Sequence, residues 1–194
     1  MNICVFGSSS EIIDKKYLDS AFELARDIAK RGDTLVFGGG KYGVMGAAAR
    51  GALAENGRII GVTPTFFNEL NVIFDKCTEL IYTETMRERK GIMEDKSDAF
   101  IICPGGIGTF EEFFEVLTLK QLRRHEKQII VYNMYGYYDS MLSMMDHAEQ
   151  TDFIADDCSK LFSVANSEEE VFEQLENYKP FSYNKYQNII DAEK

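Results

Sequence analysis

Residues 104–112 read Pro-Gly-Gly-Ile-Gly-Thr-Phe-Glu-Glu and follow directly on the apolar run 99–103. This order is typical of a buried strand that ends in a glycine-rich turn and continues as a helix. Such a turn points several backbone N–H groups at one spot, at the positive end of the helix dipole, and so binds phosphate without a lysine. The acids that follow favour chemistry on a phosphorylated molecule, with candidate phosphate contacts at Gly105, Gly106, Gly108 and Thr109.

Two acidic residues, Glu111 and Glu112, lie one turn into the predicted helix. The helix dipole favours acids in a first turn, so either side chain could be structural. Because neighbours on a helix point about 100° apart, we expect only one of the two to face a ligand. Thr109 is also open to two interpretations, as the N-cap of the helix or as a hydroxyl that binds phosphate.

A cluster of cationic residues lies in the segment Met86-Arg87-Glu88-Arg89-Lys90, after the fourth predicted strand. Thr85 and Glu88 form a capping-box pattern, which indicates that a helix begins here. The cations could form a solvated charged face. Alternatively, a cationic side chain beside the phosphate loop would bind the same anion or steady a leaving group.

Two further loops follow predicted strands. Residues 38–46 read Gly-Gly-Gly-Lys-Tyr-Gly-Val-Met-Gly, so the backbone at Gly39 and Gly40 could approach a ligand, although tight packing of the turn would also explain the glycines. Ser8 and its neighbours Ser9 and Ser10 could be helix caps or hydroxyl donors to a sugar or phosphate. We expect these loops and residues 64–69 at one edge of the sheet, where the carboxyl ends of strands bind ligands.

Two familiar nucleotide motifs are not met. The first turn lacks the dinucleotide fingerprint G-x-G-x-x-G, and the segment that begins at Gly106 has Glu111 where the third glycine belongs. A nicotinamide or flavin oxidoreductase is therefore disfavoured. Gly40-Lys41-Tyr42 does not supply the Gly-Lys-Ser/Thr of a Walker loop.

The elements that must position these residues alternate along the chain. Short apolar runs with little alternation predict strands of a parallel sheet covered on both faces, at 3–6, 34–37, 58–62, 79–82, 99–103 and 128–132, with 159–164 as a candidate seventh. Periodic segments predict helices at 16–30, 45–55, 85–97, 109–123, 138–149 and 168–178. The order indicates one α/β domain over residues 1–178, a doubly wound Rossmann-like sheet of six or seven strands with helices on both faces, and a tail or arm over residues 179–194.

Composition excludes some classes of partner. The 194 residues carry a formal net charge of -11, which argues against non-specific binding to nucleic acid or to an anionic membrane. No apolar stretch approaches the length of a membrane span, and the first residues lack a basic leader. The four cysteines have no Cys-x-x-Cys spacing and only two histidines are present, so we expect reduced thiols in a cytoplasmic protein, without a metal or cofactor.

Four motifs together resemble the Lonely Guy (LOG) family, long described as lysine decarboxylases. The family hallmark P-G-G-x-G-T-x-x-E corresponds to residues 104–112, and its M-x-x-R-K corresponds to residues 86–90. Its element G-G-G-x-x-G-x-M-G matches residues 38–46, and its G-Y-Y-D matches residues 136–139. The match extends from residue 2 to about residue 154 in the expected order.

The resemblance implies a cytokinin riboside 5′-monophosphate phosphoribohydrolase, which cleaves an adenosine-type monophosphate to free base and ribose 5-phosphate. It assigns Arg89 and Glu112 as the catalytic pair. It implies nucleotide contacts at Lys90, Gly105, Gly106, Gly108, Thr109 and Thr118, and a further acidic contact at Glu69. Ser8, Gly39, Gly40, Met86 and Glu111 complete the candidate contacts. The family usually forms homodimers, so a homodimer with the site near the subunit boundary is also implied.

Three positions depart from the family pattern: Leu119 replaces a tryptophan, Gln128 a proline and Val44 a leucine. Leu119 could alter the base pocket or a dimer contact, so AMP and N6-modified derivatives both stay open as substrates. Lysine decarboxylation is not supported, because no recognisable motif for a lysine bound to pyridoxal phosphate is present. The alternative function is a nucleotide-binding sensor or carrier on the same fold, without turnover.

Overall fold

The computed structural model describes residues 1–154 and 158–181. Seven parallel strands form one sheet in the order β4-β3-β2-β1-β5-β6-β7. The strands are β1 (Asn2–Phe6), β2 (Thr34–Phe37), β3 (Arg58–Pro64), β4 (Glu79–Thr83), β5 (Ala99–Ile102), β6 (Gln128–Tyr132) and β7 (Ser163–Ala165). The helices are α1 (Lys15–Lys30), α2 (Gly43–Ala54), α3 (Met86–Lys96), α4 (Ile107–Gln121), α5 (Asp139–Gln150) and α6 (Glu168–Asn177). Short 3-10 helices cover Thr65–Leu70, Met134–Gly136 and Cys158–Leu161.

The predicted doubly wound α/β sheet is confirmed, and its seventh strand is present. The predicted start of that strand was wrong, because residues 158–161 form a 3-10 helix and the strand begins at Ser163. In this turn the buried side chains are Cys158 and Leu161, three residues apart, which is the period of a 3-10 helix and not of a strand. The last predicted segment, residues 179–194, lies outside the described residues from 182 onward.

The strands are apolar throughout because both faces of the sheet are covered. On β1, Ile3 and Val5 pack into a cluster with α1, α2 and α6, whereas Cys4 and Phe6 pack into a cluster with α3, α4 and α5. Alternate residues of a strand point to opposite faces, so each strand supplies both clusters. The continuous apolar runs in the sequence are the direct consequence.

Two helix ends follow the predicted signals, the end of α1 and the start of α3. Gly32 closes α1 with a positive φ of 78°, and its N–H donates to the carbonyl of Ala29. At the start of α3 the N–H of Glu88 donates to Oγ1 of Thr85 over 3.1 Å, as the capping box predicts. No helix among residues 1–154 and 158–181 is both long enough and apolar enough to cross a bilayer.

The strand order reverses between β1 and β5, which places the switch point of the sheet at the centre. The loops that leave these two strands meet there, because the N–H of Ser8 donates to the carbonyl of Pro104 over 3.1 Å. In open α/β sheets the crevice at this point is where ligands bind. The fold therefore brings together the glycine-rich loop at 104–108 and the loop that contains Ser8, Ser9 and Ser10, which we call the serine loop.

Candidate active site

A cavity of about 600 Å³ opens at the carboxyl edge of the sheet, over the switch point. Its walls come from the loops after β1, β2, β3 and β5 and from the first turns of α3 and α4, as the fold class predicted. The lining residues are Gly7, Ser8, Ser9, Ser10, Gly38, Gly39, Gly40, Tyr42, Met45, Thr63, Phe67, Leu70, Val72, Ile73, Met86, Arg89, Gly106, Ile107, Gly108, Thr109 and Glu112.

A buried ion pair between Arg89 and Glu112 forms part of the cavity wall. Nη1 of Arg89 donates to Oε1 of Glu112 over 2.9 Å, and Nε of Arg89 donates to the carbonyl of Val62 over 3.2 Å. The residues are only 5% and 8% exposed. The pair joins α3 to α4, so two segments that are 23 positions apart in sequence present one charged group each to the same cavity.

Burial raises the pKa of the Glu112 carboxyl, because the charged form loses water. The guanidinium of Arg89 opposes this rise in pKa, both by its charge and by its hydrogen bond. The result is a carboxylate that is held at a dry site by one cation. A group of this kind can stabilise a developing positive charge or take a proton from water.

Gly38 makes room for the arginine. A Cβ added at Gly38 would lie 1.8 Å from Nη2 of Arg89, so the guanidinium packs directly against the backbone of this loop. Of the two alternatives that the sequence left open for the triple glycine, tight packing is seen at Gly38, and ligand contact stays a prediction. Gly39 and Gly40 line the cavity, while Gly38 is required for close packing of a functional side chain.

The glycine-rich turn after β5 leads into α4 as predicted, but the helix begins earlier than expected. Its first residue is Ile107 and its N-cap is Gly106, so Thr109 is not the N-cap. The N–H groups of the first turn have no carbonyl one turn earlier to bind, and they face the cavity edge at the positive end of the dipole. Thr109 is buried at 3% exposed and lines the same wall.

Two tyrosines of the segment after β6 form hydrogen bonds with the backbone of the glycine-rich turn. Oη of Tyr137 donates to the carbonyl of Gly105 over 2.6 Å, and Oη of Tyr138 donates to the carbonyl of Cys103 over 2.7 Å. Sequence reasoning did not assign these residues a role. The sequence signal for this role is the Gly-Tyr-Tyr-Asp segment at 136–139. Its two tyrosine hydroxyls donate to two carbonyls of the turn.

The serine loop contains an internal hydrogen bond and is also bonded to α2. Oγ of Ser8 accepts from the N–H of Ser10 over 3.0 Å, and the carbonyl of Ser8 accepts from the N–H of Met45 over 3.2 Å. This loop therefore rests on the start of α2. All three serines still line the cavity, so the local capping bond does not remove them as ligand contacts.

Five of the predicted contacts are not among the residues that line the cavity: Lys90, Glu111, Thr118, Glu69 and Gly105. The ammonium of Lys90 pairs with Glu111 and, over 2.6 Å, with Glu115 on the outer face of α3 and α4. Thr118 is exposed near the end of α4, and Glu69 is exposed beside the cavity residues of its own 3-10 helix. Among the neighbouring acids, the helix turns Glu112 inward and Glu111 outward, as their 100° separation requires.

The opposite wall is apolar, and sequence reasoning missed it. The chain after the 3-10 helix returns to the glycine loop, because the N–H of Lys41 donates to the carbonyl of Val72 over 2.8 Å. Apolar side chains thereby face the polar turn across the cavity: Tyr42, Met45, Phe67, Leu70, Val72 and Ile73. In the sequence, most of these residues are apolar residues in a segment between the third and fourth predicted strands, where the pattern predicts a loop.

The described part of the chain holds no group of three or more metal-ligating side chains, and no lysine among the described residues lines the cavity. A Schiff base with pyridoxal phosphate would need such a lysine. The groups that the walls do present are a carboxyl group, a guanidinium and the N–H groups of a helix N-terminus.

Comparison with protein families and curated relatives gives consistent results. A family model described as "Possible lysine decarboxylase" matches residues 45–175. A probable cytokinin riboside 5′-monophosphate phosphoribohydrolase of Oryza sativa subsp. japonica is 38% identical over 179 residues, covering 92% of this chain and 84% of the relative. A cytokinin riboside 5′-monophosphate phosphoribohydrolase of Arabidopsis thaliana is 36% identical over 179 residues, with the same coverage of both chains.

Solved structures share the fold at lower identity. The molybdenum cofactor carrier protein of Chlamydomonas reinhardtii superposes with a TM-score of 0.68 at 24% identity, covering 90% of this chain and 95% of the other. A molybdenum cofactor binding protein of Rippkaea orientalis gives a TM-score of 0.67 at 24% identity, covering 90% and 93%. At this identity the likeness concerns the arrangement of strands and helices.

Proposed function

The chain belongs to the LOG family of cytokinin riboside 5′-monophosphate phosphoribohydrolases, and from this premise we propose that it hydrolyses the N-glycosidic bond of AMP or an N6-modified adenosine 5′-monophosphate. The products are the free base and ribose 5-phosphate. One observation carries the proposal: a buried Arg89–Glu112 pair faces a cavity whose adjacent wall is a helix N-terminus suited to phosphate.

The arrangement of the walls supports one orientation of the substrate in this proposal. The 5′-phosphate binds at the first turn of α4, with the N–H groups that follow Gly106 and the hydroxyl of Thr109. The base then lies toward the apolar wall that contains Phe67 and Leu70. The ribose spans the distance between them and brings C1′ close to Glu112.

Water attacks C1′ while the bond from C1′ to the base nitrogen breaks. The electron pair of that bond leaves with the base, which takes up a proton, and the attacking water loses one. The sugar carries positive charge in the transition state, and the Glu112 carboxylate stabilises that charge or orients and deprotonates the water. Arg89 holds Glu112 in place and helps to neutralise the charge on the departing base.

A homodimer is also part of the proposal. Thr118 is exposed on α4 and lies outside the cavity of its own chain, so a nucleotide contact from this residue requires a second copy. Leu122, one turn farther along the chain, is 42% exposed and offers apolar surface beside it. We further propose a cytoplasmic location, which the reduced thiols of Cys4, Cys77 and Cys103 support.

The alternative, a nucleotide carrier without turnover, is less supported. A carrier needs the phosphate turn and the apolar wall, but it has no need of a carboxylate kept at a dry site with a raised pKa. The buried pair is therefore the feature that favours the enzyme.

The test is product analysis by chromatography over AMP, an N6-isopentenyl derivative of AMP, GMP and adenosine. We expect adenine or the modified base, together with ribose 5-phosphate, from the first two substrates only. Adenosine serves as the control for the phosphate turn. Intact AMP and intact derivative after long incubation, together with tight nucleotide binding, would establish the carrier instead.

A further inference from the structure

A second cavity, of about 310 Å³, lies at the opposite edge of the sheet, where β6 and β7 begin. It is closed by the last turns of α4 and α6 and by the 3-10 helix before β7. The lining residues are Lys120, Gln128, Ile129, Lys160, Leu161, Phe162, Ser163, Gln174, Asn177, Tyr178 and Lys179. None of them belongs to the cavity at the carboxyl edge.

Lys120 is a buried cationic side chain in the lining of this second cavity. The residue is only 4% exposed, which is unusual for a lysine without a carboxylate partner. Its ammonium lies 5.1 Å from the ring centre of Tyr178, and within residues 1–154 and 158–181 it makes no hydrogen bond or ion pair. Three N–H donors are therefore presented to the cavity without an acceptor.

Burial lowers the pKa of the Lys120 amine to about 8, and the negative charge of Glu126 opposes this shift only in part. A cation at such a site is stabilised when an anion enters and accepts its hydrogen bonds. The ring of Tyr178 holds the ammonium in position, since Oη of Tyr178 is itself fixed by donation to the carbonyl of Glu126 over 2.6 Å.

Further cationic side chains lie around the cavity. Lys160 and Lys179 contribute two more cationic side chains to its lining, in a chain whose formal net charge is -11. The partly exposed rings of Phe162 and Tyr178 supply apolar surface to the remaining wall, and Ile129 and Leu161 lie fully buried behind it. An inorganic anion has no apolar surface to bury against such walls. An organic acid with an apolar body does, and burial of that surface favours its binding.

We propose that this cavity binds a small organic acid, whose carboxylate pairs with Lys120 and whose apolar body lies against Tyr178 and Phe162. The site is separate from the proposed nucleotide site, because it lies at the amino ends of the strands. Lys120 and Glu112 are on the same helix, so the two sites share α4 but no lining residue.

The experiment is an NMR titration of the full chain with benzoate, following the backbone amides of Gln128 and Gln174. We expect saturable shifts with a dissociation constant of about 1 mM or tighter. Benzamide, which has the same shape without the charge, should bind at least tenfold more weakly. Inorganic phosphate, which has the charge without the apolar body, should do likewise.

Matched variants complete the test. Lys120→Met keeps the length of the buried chain and should weaken benzoate binding at least tenfold, whereas Lys160→Met should weaken it less than threefold. Both variants should retain AMP hydrolysis, which serves as the check that they fold. Equal binding of benzoate by Lys120→Met, or no saturable shift at all, would overturn the proposal. So would binding that appears only when residues 182–194 are deleted, since the chain itself would then be the occupant.

Discussion

Nη1 of Arg89 lies 2.9 Å from Oε1 of Glu112, and the outer faces of the same two helices are joined by Lys90 and Glu111. Two consecutive residues of α3 thus pair with two consecutive residues of α4, one pair facing the cavity and the other facing outward. The inner pair carries the proposed chemistry. The outer pair is a second contact between the same two helices.

Glu112→Gln should lower kcat/KM for AMP by about 100-fold, which corresponds to about 3 kcal/mol of transition-state stabilisation. The amide keeps the shape of the side chain but carries no negative charge for the sugar cation. Steady-state kinetics of the purified variant checks this. Glu115→Gln, one turn along the same helix and outside the cavity, is the control and should retain activity within about twofold. Unchanged turnover in a folded Glu112→Gln protein would remove this residue from the mechanism.

The pH dependence of kcat/KM should show an acidic limb above the ordinary titration range of a glutamate. Burial raises the pKa of Glu112, and protonation removes the charge that the reaction needs, so activity falls as pH is lowered through that pKa. Arg89→Met removes a cation that lowers this pKa, so the limb of its residual activity should move to higher pH. A limb that moves to lower pH in Arg89→Met would contradict this assignment.

Gly38→Ala should lower kcat/KM by about 100-fold or more without unfolding the protein. The added Cβ would lie 1.8 Å from Nη2 of Arg89, and the guanidinium is the part that can move. Circular dichroism and kinetics together check this result. Gly91→Ala, in α3 itself and with open space around its Cβ position, is the matched control. It should leave activity intact and stabilise the helix by up to about 1 kcal/mol.

Tyr137→Phe should raise KM for AMP about fivefold with a smaller effect on kcat. The variant loses the 2.6 Å hydrogen bond to the carbonyl of Gly105, which is worth about 1 kcal/mol and positions the phosphate turn. Tyr135→Phe removes a hydroxyl that contacts only Ser20 among the described residues, and it should leave KM unchanged. A loss of kcat with unchanged KM would point instead to a role near the reacting bond.

Acid should destabilise the fold through His125. Its Nε2 contacts the carbonyl of Val116 over 2.9 Å and its Nδ1 accepts from the N–H of Lys127, an arrangement that fits the neutral ring. Burial lowers its pKa to about 4, below the value of about 6.5 for an unfolded chain. Stability from this residue is therefore complete above pH 6.5 and is lost as pH falls toward 4.

Urea unfolding of wild type and His125→Gln at pH 7 and pH 4.5 measures this effect. The wild type should lose about 1–2 kcal/mol more than the variant over this interval, after allowance for solvent screening of a partly exposed ring. His147→Gln, exposed on α5, is the control and should follow the wild type. Equal losses in wild type and His125→Gln would contradict the assignment.

Features with a local cause could be predicted from the sequence. The strands are short apolar runs, α1 ends at Gly32, and α3 begins with the capping box at Thr85, each for reasons contained within a few residues. The start of α4 was predicted two residues late, because Thr109 is a good N-cap by type and Gly106 takes that role. Residue type is therefore a weak guide to the N-cap where preceding glycines allow the helix to begin earlier.

Long-range features could not be predicted in the same way. The apolar wall depends on a loop hydrogen bond between Lys41 and Val72, and no local pattern encodes that pairing. The resemblance implies a nucleotide contact at Lys90, which stays a prediction; in this chain the Lys90 ammonium pairs with Glu111 and Glu115. Only the relative rotation of α3 and α4 decides which cation faces inward.

The glycines of the cavity limit how substrate choice can evolve. A Cβ at Gly7, Gly38 or Gly39 would lie within 2.9 Å of existing atoms, so these parts of the wall accept no side chain. The segment with Phe67 and Leu70 is different, because it is partly exposed and built from side chains. Descendants of this protein that act on other bases are therefore expected to differ along that segment, while Gly7, Gly38 and Gly39 are retained.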